Sequence, residues 1–584
     1  MAANASSSSP SLVVGAEVLA SLALGSGLAS LASGAAGLAL ARRDLVRPLV
    51  FLFVVSVVIL GAHIYIIDSP PTYTPGTLVG SMGAPFSDSN LLISTRLSGS
   101  VLAVNATDIG SNAISALTLS VGNETLPQGG FSDPPTASRP IQPSSATQFG
   151  YRDGVVGGWT VAPGTSPTIT ARYAYLTCYH VPDQNDNRGV FGCIMDETYY
   201  VPAAQALLAG TQCSTSVPNC NLEHPFLSKA IVAAGIAVFG LDGFGWRILT
   251  AVLGTLCISL LFVLAQLVSG NRRLAYLASS LLAVDTLFFV HSSAALIDVP
   301  AVFFCLLGFI FYFWRVSYRR VDHLVVAGAF FGLAALTKET AVFLLAAVVT
   351  YDLISNGEGL KGSARRTLLL AVPAVLVFFA GVQVYDSLFT SGSFPYFYQQ
   401  VGYMLSYGSG LKGPGWTDNT LHTPITPLNW LTFYTPVGYL VTTVTVTTGG
   451  SAYQYVGVGY YGVDNIVVVW LVFLWVPLVV YGMVRGRKRA VPQGDERFMR
   501  LMLVWLLWTY LPYLVLWVYG RVTYPFYLVP AVPSLASGAA YVTTRDWFPY
   551  ALALSYVAFA AVFFFVFFPV KDFLPVYLRQ VLRW

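Results

Sequence analysis

Charged residues are scarce in this sequence. Only 10% of the 584 residues are Asp, Glu, Lys or Arg, whereas a soluble domain carries roughly a quarter. Hydrophobic residues make up 55% of the chain, and the mean hydropathy is +0.65. A water-exposed surface cannot be built from this composition, so a soluble globular fold is excluded and a polytopic membrane protein is predicted.

Strong positive charge and nucleotide-binding loops are missing as well. The formal net charge of +4 is too small to indicate a nucleic-acid partner, and no Walker-type phosphate loop occurs. No basic segment precedes the first apolar stretch and no clear small-residue cleavage site follows it, so this stretch is predicted to remain as a helix. The expected partners are therefore membrane lipids and not nucleic acids.

Apolar segments recur along the whole chain, and a membrane span needs roughly 17 to 25 such residues, or fewer in a short hairpin. About twelve segments qualify by this criterion. They lie near 12–40, 47–67, 246–268, 274–292, 299–316, 323–336, 340–354, 367–389, 463–484, 497–519, 523–541 and 549–569. The predicted fold is thus an all-α polytopic membrane protein.

Lys and Arg residues cluster in the short segments between these spans, and the positive-inside rule places such segments in the cytoplasm. Both chain ends and the two longest loops, about 68–197 and 390–462, then lie outside. The Asn-x-Ser/Thr sequons fall on the same outer side, at Asn4, Asn105 and Asn123. The predicted localisation is the cell membrane, with the long loops extracytoplasmic.

Four of the six cysteines also fall outside, where disulfides persist. Three pairings are open to them, and the preferred one joins Cys178 to Cys193 and Cys213 to Cys220. The other two cysteines lie in predicted spans.

The first long loop is rich in Gly, Ser, Thr and Pro and contains short alternating runs such as 91–97 and 169–179. Such runs predict a small extracytoplasmic β-rich domain over 68–190. The remaining predicted divisions are an extra N-terminal transmembrane helix in 1–45, a first core helix in 46–67 and a membrane core over 191–584. An external loop, 191–246, opens that core.

Acidic, imidazole and cationic groups gather in this external loop. Asp196 and Glu197 are followed by His224 and Lys229, and Arg247 opens the next span. A carboxylate here could take a proton from a hydroxyl group, and the cations could neutralise a phosphate leaving group. The alternative is structural, because adjacent carboxylates often cap a helix and an arginine at a span end often snorkels to the interface.

The order of these residues resembles the dolichyl-phosphate-mannose protein mannosyltransferase family, within the GT-C superfamily of polyprenyl-phosphate-sugar-dependent glycosyltransferases. Three elements carry the resemblance: Asp196-Glu197, the stretch His224-Pro225-Phe226-Leu227-Ser228-Lys229, and Arg247. Downstream elements continue the family's order, namely Leu296-Ile297-Asp298-Val299-Pro300, the 332–338 segment ending in Lys338, His422 with Trp430 and Pro436, and Arg521 with the 527–533 segment.

The resemblance implies a GT-C core of about 11 transmembrane helices, to which the helix at 12–40 is an addition. It implies a glycosyltransferase that moves a mannose-like sugar from a polyprenyl-phosphate donor, such as a dolichyl phosphate, to a hydroxyl acceptor by inverting displacement. Asp196 is then the general base and Glu197 a supporting carboxylate. The implied donor-binding residues are His224, Lys229, Arg247, Asp298, Lys338 and Arg521. His422 and Trp430 belong to an acceptor loop. No cofactor is assigned; a divalent metal is compatible, although no set of ligands has a recognisable spacing.

The sequence departs from the family pattern at several points. His291-Ser292-Ser293 replaces an arginine before the Leu-Asp turn, Phe226 replaces a proline, and Thr435 stands where an arginine is common. Protein Ser/Thr is the expected acceptor, and a lipid or a glycan is the alternative.

A polytopic transporter is the rival from another class, with Asp285, Asp298 and Lys338 as an intramembrane relay. For Lys338 alone, a local structural pair with Glu339 is as good an explanation as donor binding.

Overall fold

The structure is a computed structural model. It describes residues 42–67, 73–88, 91–108, 114–122, 124–125, 154–160, 164, 166–176, 194–215, 220–318, 321–355, 359–390, 393–413, 426–431, 437–448, 451–485 and 494–566. The chain divides into two compact units, 1–58 and 59–584. The predicted helix at 12–40 and His422 lie outside the described residues. So do two of the sequons, Asn4 and Asn123, and two of the cysteines, Cys178 and Cys193.

Helices make up most of the described chain. In order they are α1 (Arg42–Ile67), α2 (Glu197–Leu208), α3 (Leu227–Phe239), α4 (Gly243–Ser269), α5 (Arg272–Ala283), α6 (Thr286–Ser292), α7 (Asp298–Tyr318), α8 (Asp322–Thr337), α9 (Val342–Ser355), α10 (Gly359–Tyr385), α11 (Phe397–Gly410), α12 (Pro427–Trp430), α13 (Ile466–Val469), α14 (Val472–Arg485), α15 (Asp495–Val518), α16 (Val532–Thr543) and α17 (Tyr550–Val566). Short 3₁₀ turns occupy Glu339–Ala341 and Pro525–Ala531, and a π segment, Asp386–Thr390, extends α10.

Six helical segments of the described chain are long and apolar enough to cross a membrane: Val46–Ile67, Gly243–Ser269, Gly359–Thr390, Ile466–Arg485, Asp495–Val518 and Pro525–Thr543. The number of candidate spans rises to seven if the bent pair α5–α6 counts as one span. The shorter apolar helices are α3, α8, α17 and the segment Asp298–Trp314. The protein is therefore an integral membrane protein. The count of eleven core spans plus one stays a prediction.

The span predicted at 274–292 is two helices that meet at an angle of 65°. Asp285 stands at the break, where its Oδ1 accepts a hydrogen bond from the backbone N–H of Phe288 at 2.9 Å and caps α6. Its Oδ2 accepts from the backbone N–H of Asn465 at 3.2 Å. Because its oxygens serve backbone groups, Asp285 has a structural role at this bend.

Strands occupy the region between α1 and α2. One sheet has the order β1 (Tyr73–Ser81), β8 (Thr168–Leu176), β5 (Ile114–Val121), β6 (Glu124–Thr125), and a second has the order β2 (Phe86–Ser87), β3 (Leu91–Ser98), β4 (Val101–Asp108), β7 (Gly154–Thr160). Every described pairing is antiparallel. Alternate residues such as Leu91, Ile93, Leu102 and Val104 are fully buried, as the two-residue period of a strand requires. The domain boundary at 68–190 stays a prediction.

A long hairpin, β9 (Val437–Thr448) and β10 (Ser451–Gly462), lies in the second long loop.

Candidate active site

Asp196 stands immediately before α2, in the N-cap position. Its side chain makes no capping hydrogen bond; only its backbone carbonyl accepts, from the N–H groups of Tyr199 and Tyr200 at 2.9 and 3.2 Å. The preceding Met195 has φ +53, a left-handed conformation that is uncommon for a residue with a side chain. The capping role that the sequence allowed for this carboxylate is therefore not what the structure has.

Glu197 and Arg247 form an ion pair in which both side chains are 0% exposed. The guanidinium donates from Nε to Oε1 at 2.8 Å and from Nη2 to Oε2 at 2.7 Å. Arg247 Nη1 also donates to the carbonyl of Ile67 at 2.7 Å, and Glu197 accepts from the backbone N–H groups of Ile194 and Ala295 at 2.8 and 2.7 Å. The pair thus joins α2, α4, the end of α1 and the turn before α7.

This geometry corrects two sequence interpretations of Arg247. The guanidinium is neither a snorkelling anchor nor placed to hold a phosphate at the surface, because it is wholly enclosed and bound to Glu197. Glu197 lies fifty positions before Arg247, so no local sequence pattern indicates that the two residues pair. Glu197 fixes the backbone at Ile194, just before Asp196, and at Ala295, in the turn before α7.

Lys338 ends α8 in an extended conformation, and its Nζ lies 2.5 Å from Asp298 Oδ1 at the start of α7. His291 at the end of α6 brings Nδ1 to 3.5 Å from the other oxygen, Oδ2, of Asp298. Lys338 also lies over the ring of Tyr527, with Nζ 5.3 Å from the centroid. All three charged or imidazole side chains are buried. The local pair of Lys338 with Glu339 that the sequence allowed is not formed.

Glu339 instead pairs with His224, whose Nδ1 lies 3.1 Å from Oε2. Both side chains are partly exposed, at 25% for His224 and 33% for Glu339. The imidazole also makes an edge contact with the ring of Tyr200, at 6.1 Å between centroids. The second ion pair therefore closes the site on the side of α2.

Lys229 holds the loop that carries His224. Its Nζ donates to the backbone carbonyls of Asn221 and His224 at 2.5 and 2.8 Å, and burial lowers the pKa of the amine to about 7. A disulfide between Cys213 and Cys220 closes the same loop, which confirms that predicted pairing. Lys229 is thus a positioning residue, and the sequence expectation that it contacts the donor is replaced by this role.

Arg521 and Trp430 lie on the far side of Lys338. Arg521 Nε donates to the carbonyl of Gly408 at 2.6 Å, and its Nη1 lies 3.5 Å from the Tyr527 hydroxyl. Trp430 is buried and packs against Tyr513 and Tyr527, which stack on each other at 4.8 Å. Trp430 therefore packs against the tyrosines that adjoin Lys338, and its buried ring has no face exposed to an acceptor.

Two of these pairs, Lys338–Asp298 and His224–Glu339, act electrostatically on Asp196. Burial raises the pKa of the Asp196 carboxyl, the Lys338 ammonium and the imidazoles of His224 and His291 oppose that shift, and the Asp298 carboxylate adds to it. A carboxylate that is partly exposed and flanked by cations can accept a proton while an anion is stabilised next to it. His291 was missed as a site residue because it stands where the resembled family has arginine; its basic character at that position was the available signal.

A small cavity opens beside Lys338. Its wall is largely apolar and runs between α7, α9 and α15, with these lining residues: Ala301, Val302, Lys338, Thr340, Ala341, Phe343, Leu344, Thr509, Tyr513 and Pro530. A buried cation at the edge of an apolar wall matches the chemistry of an amphiphile with a phosphate head.

In the part of the chain that the structure describes, no group of three or more His, Cys, Asp or Glu residues is arranged to hold a metal ion. The compatibility with a divalent metal stays a prediction.

Residues 223–385 match the family model of the dolichyl-phosphate-mannose-protein mannosyltransferases. The match contains the pairs Lys338–Asp298 and His224–Glu339 but not Asp196 or Glu197, and over this region it confirms the resemblance drawn from the sequence.

Two curated relatives agree with this match. The chain is 32% identical over 116 residues to a polyprenol-phosphate-mannose–protein mannosyltransferase of Mycobacterium tuberculosis, and 34% identical over 117 residues to that of Corynebacterium glutamicum. These stretches cover 20% and 19% of this chain, and the chain spans 22% of the length of each relative.

Among solved structures, the chain is similar to the Saccharomyces cerevisiae protein O-mannosyltransferase Pmt1-Pmt2 complex bound to the sugar donor. The TM-score is 0.50 at 11% identity, over 65% of this chain and 86% of that chain. The chain therefore shares the fold of that protein over the aligned region.

Proposed function

We propose that the protein is a membrane glycosyltransferase that moves a mannose-like monosaccharide from a polyprenyl-phosphate donor to a hydroxyl acceptor on the extracytoplasmic face. The observation that carries the proposal is the position of Asp196 beside two cation-containing pairs, Lys338–Asp298 and His224–Glu339. The match over residues 223–385 supports the same reaction class.

In the proposed reaction the acceptor oxygen attacks C1 of the sugar, and its proton passes to the carboxylate of Asp196. The bond between C1 and the phosphate oxygen breaks, and the electron pair leaves on the polyprenyl phosphate. Because a single displacement occurs, the configuration at C1 inverts. The lipid phosphate is itself the leaving group, so no nucleotide takes part.

Lys338 stabilises the departing phosphate in this proposal. An ammonium group has three donors, and Asp298 occupies one direction around it. His224 supplies an imidazole N–H donor, which Glu339 keeps oriented. Arg521 contributes through its contact with the hydroxyl group of Tyr527.

The acceptor is protein Ser/Thr in the preferred form of the proposal, and a lipid or a glycan in the alternative. The transporter alternative loses one of its three residues, because Asp285 is engaged with backbone groups at a helix break.

The test uses purified full-length protein in lipid nanodiscs with a polyprenyl-phosphate-mannose donor and a Thr-containing peptide. Release of polyprenyl phosphate together with mannosylated peptide is the expected result. Uptake of a solute into vesicles, without release of the lipid phosphate from any donor in a panel of sugars, would support a transporter instead.

A further inference from the structure

His63 lies about one turn before the end of α1, inside a membrane-spanning segment, and only 1% of it is exposed. An imidazole is unfavourable in an apolar span unless its ring nitrogens find partners, so its presence indicates a specific role. The ring stacks on Phe289 of α6, with centroids 4.2 Å apart and an interplanar angle of 9°. Its Nδ1 lies 2.8 Å from Oγ of Ser293. His63 thus connects α1 to the end of α6.

The direction of this hydrogen bond follows from the other bond that Ser293 makes. A serine hydroxyl has a single proton, and Ser293 donates it to the carbonyl of Phe289 at 2.8 Å. The oxygen of Ser293 is therefore the acceptor toward His63, and Nδ1 of the imidazole carries the hydrogen. Because the two bonds form a chain in a buried place, loss of the imidazole would leave the Ser293 oxygen without its donor.

Ser293 begins the five-residue turn 293–297 that joins α6 to α7. The turn is held at two points by groups from other helices. His63 of α1 holds Ser293, and the carboxylate of Glu197 accepts from the backbone N–H of Ala295 at 2.7 Å. The path of this turn is thus fixed by side chains that come from distant parts of the chain.

The same end of α1 also contacts the second of these holding groups. Arg247, which pairs with Glu197, donates from Nη1 to the backbone carbonyl of Ile67 at 2.7 Å. Ile67 follows His63 by four positions, which is about one helical turn. One turn of α1 therefore reaches Ser293 directly and Glu197 through Arg247.

Two residues of the candidate site flank the turn. His291 stands two positions before Ser293, and Asp298 is the first residue of α7. Their side chains meet across the turn, with His291 Nδ1 3.5 Å from Asp298 Oδ2, and the other oxygen of Asp298 lies 2.5 Å from Lys338 Nζ. A displacement of the turn would therefore change where the ammonium group of Lys338 points its remaining donors.

We propose that His63 is a positioning residue for the donor phosphate. Through Ser293 it fixes the turn that places His291 and Asp298, and Asp298 in turn orients Lys338 toward the phosphate. The part of this inference that concerns the phosphate rests on the proposed glycosyltransferase function, whereas the part that concerns the turn does not.

The kinetic test compares two substitutions of His63. Leucine fills a similar volume without any ring nitrogen, whereas asparagine carries an amide N–H near the position of the imidazole Nδ1–H. His63→Leu should raise the KM for polyprenyl-phosphate-mannose about fivefold and change kcat by less than about twofold, and His63→Asn should restore most of the wild-type KM. The matched control is His323→Leu, which removes an imidazole that packs against Phe311 and Trp314, and it should keep the wild-type KM.

A second readout needs no donor. The chain has six histidines, so selective ¹⁵N labelling of histidine gives few NMR signals, and the variant His291→Gln identifies those of His291. The signals of His291 should shift in His63→Leu and in Ser293→Ala, and should return in His63→Asn. The double variant His63→Leu/Ser293→Ala should shift them no further than either single change, because both remove the same hydrogen bond. If His63→Leu does not fold, Ser293→Ala, which removes only the hydroxyl group, replaces it in both tests.

Unchanged His291 signals together with an unchanged donor KM would overturn the inference. So would a lower melting temperature without either change, since that result assigns only a packing role to His63. If no donor releases polyprenyl phosphate from the wild-type protein while the His291 signals respond as expected, the proposed reaction fails and the positioning of the turn stands. If the wild-type protein is active and the signals respond but the donor KM does not, the phosphate part of the inference is wrong.

Discussion

Lys338 and Glu339 are adjacent in the chain, yet their side chains pair in different directions. Lys338 reaches Asp298 at the start of α7, and Glu339 reaches His224 in the loop before α3. The turn between α8 and α9 thus ties two distant segments together. Members of both pairs act electrostatically on Asp196. The way Lys338 and Glu339 pair therefore determines which groups influence the proposed base.

The first prediction concerns Lys338. Lys338→Met leaves the buried Asp298 carboxylate without its cation, which costs about 3–5 kcal/mol of unfolding free energy. It should also raise the KM for the donor at least tenfold. The double variant Lys338→Met/Asp298→Asn removes the unpaired charge, so it should recover most of the stability but not the donor KM.

Thermal unfolding in detergent and donor titration measure the two properties separately. If the double variant recovers donor use together with stability, Lys338 is structural only and the phosphate role is wrong.

The second prediction concerns the pair of Glu197 and Arg247. Arg247→Met leaves Glu197 buried and unpaired, and should destabilise the protein by about 3–5 kcal/mol. Polyprenyl phosphate should bind the remaining folded protein with unchanged affinity, because the guanidinium is enclosed. Thermal unfolding and binding of radiolabelled polyprenyl phosphate check both parts. A large loss of lipid-phosphate affinity at unchanged stability would restore Arg247 as a phosphate ligand.

The third prediction is the pH dependence of the reaction. Burial raises the pKa of Asp196 above its usual 3.8, and a general base works only when ionised. The value of kcat/KM should therefore rise with pH through an apparent pKa above 3.8 and level off when Asp196 is ionised. A profile measured at constant ionic strength gives this value. An acidic limb that is unchanged in Asp196→Glu and Asp196→Asn would assign the titration to another group.

The same shift has a consequence for stability. A carboxyl group with a raised pKa in the folded state binds its proton more tightly there than in the unfolded state, so its ionisation opposes folding at neutral pH. Replacing Asp196 by Asn should accordingly leave the free energy of unfolding unchanged or slightly higher. Asp196 differs in this respect from Lys338 and Arg247, because replacing either of those cations is expected to lower the free energy of unfolding.

Much of the helix pattern could be predicted from sequence. Bilayer thickness sets the length of an apolar run, and each segment predicted from residue 47 onward overlaps at least one helix among the described residues. The break at Asp285 could not be placed, because it depends on a cap to Phe288 and on Asn465, which arrives from another part of the chain.

The candidate site was predictable as a set of residues but not as a set of pairs. Order along the chain brought Asp196, His224 and Lys338 together. Partners such as Glu197 for Arg247 are chosen by helix packing, which no local pattern encodes. His291 and Tyr527 contact the site through tertiary structure alone.

The most direct measurement is single-turnover release of polyprenyl phosphate by Asp196→Asn, with Asp546→Asn as the control of equal charge. We expect Asp196→Asn to keep its melting temperature and its binding of donor, and to lose at least about 100-fold in rate. A folded Asp196→Asn protein that releases polyprenyl phosphate at the rate of the control would contradict the role of Asp196 as the base.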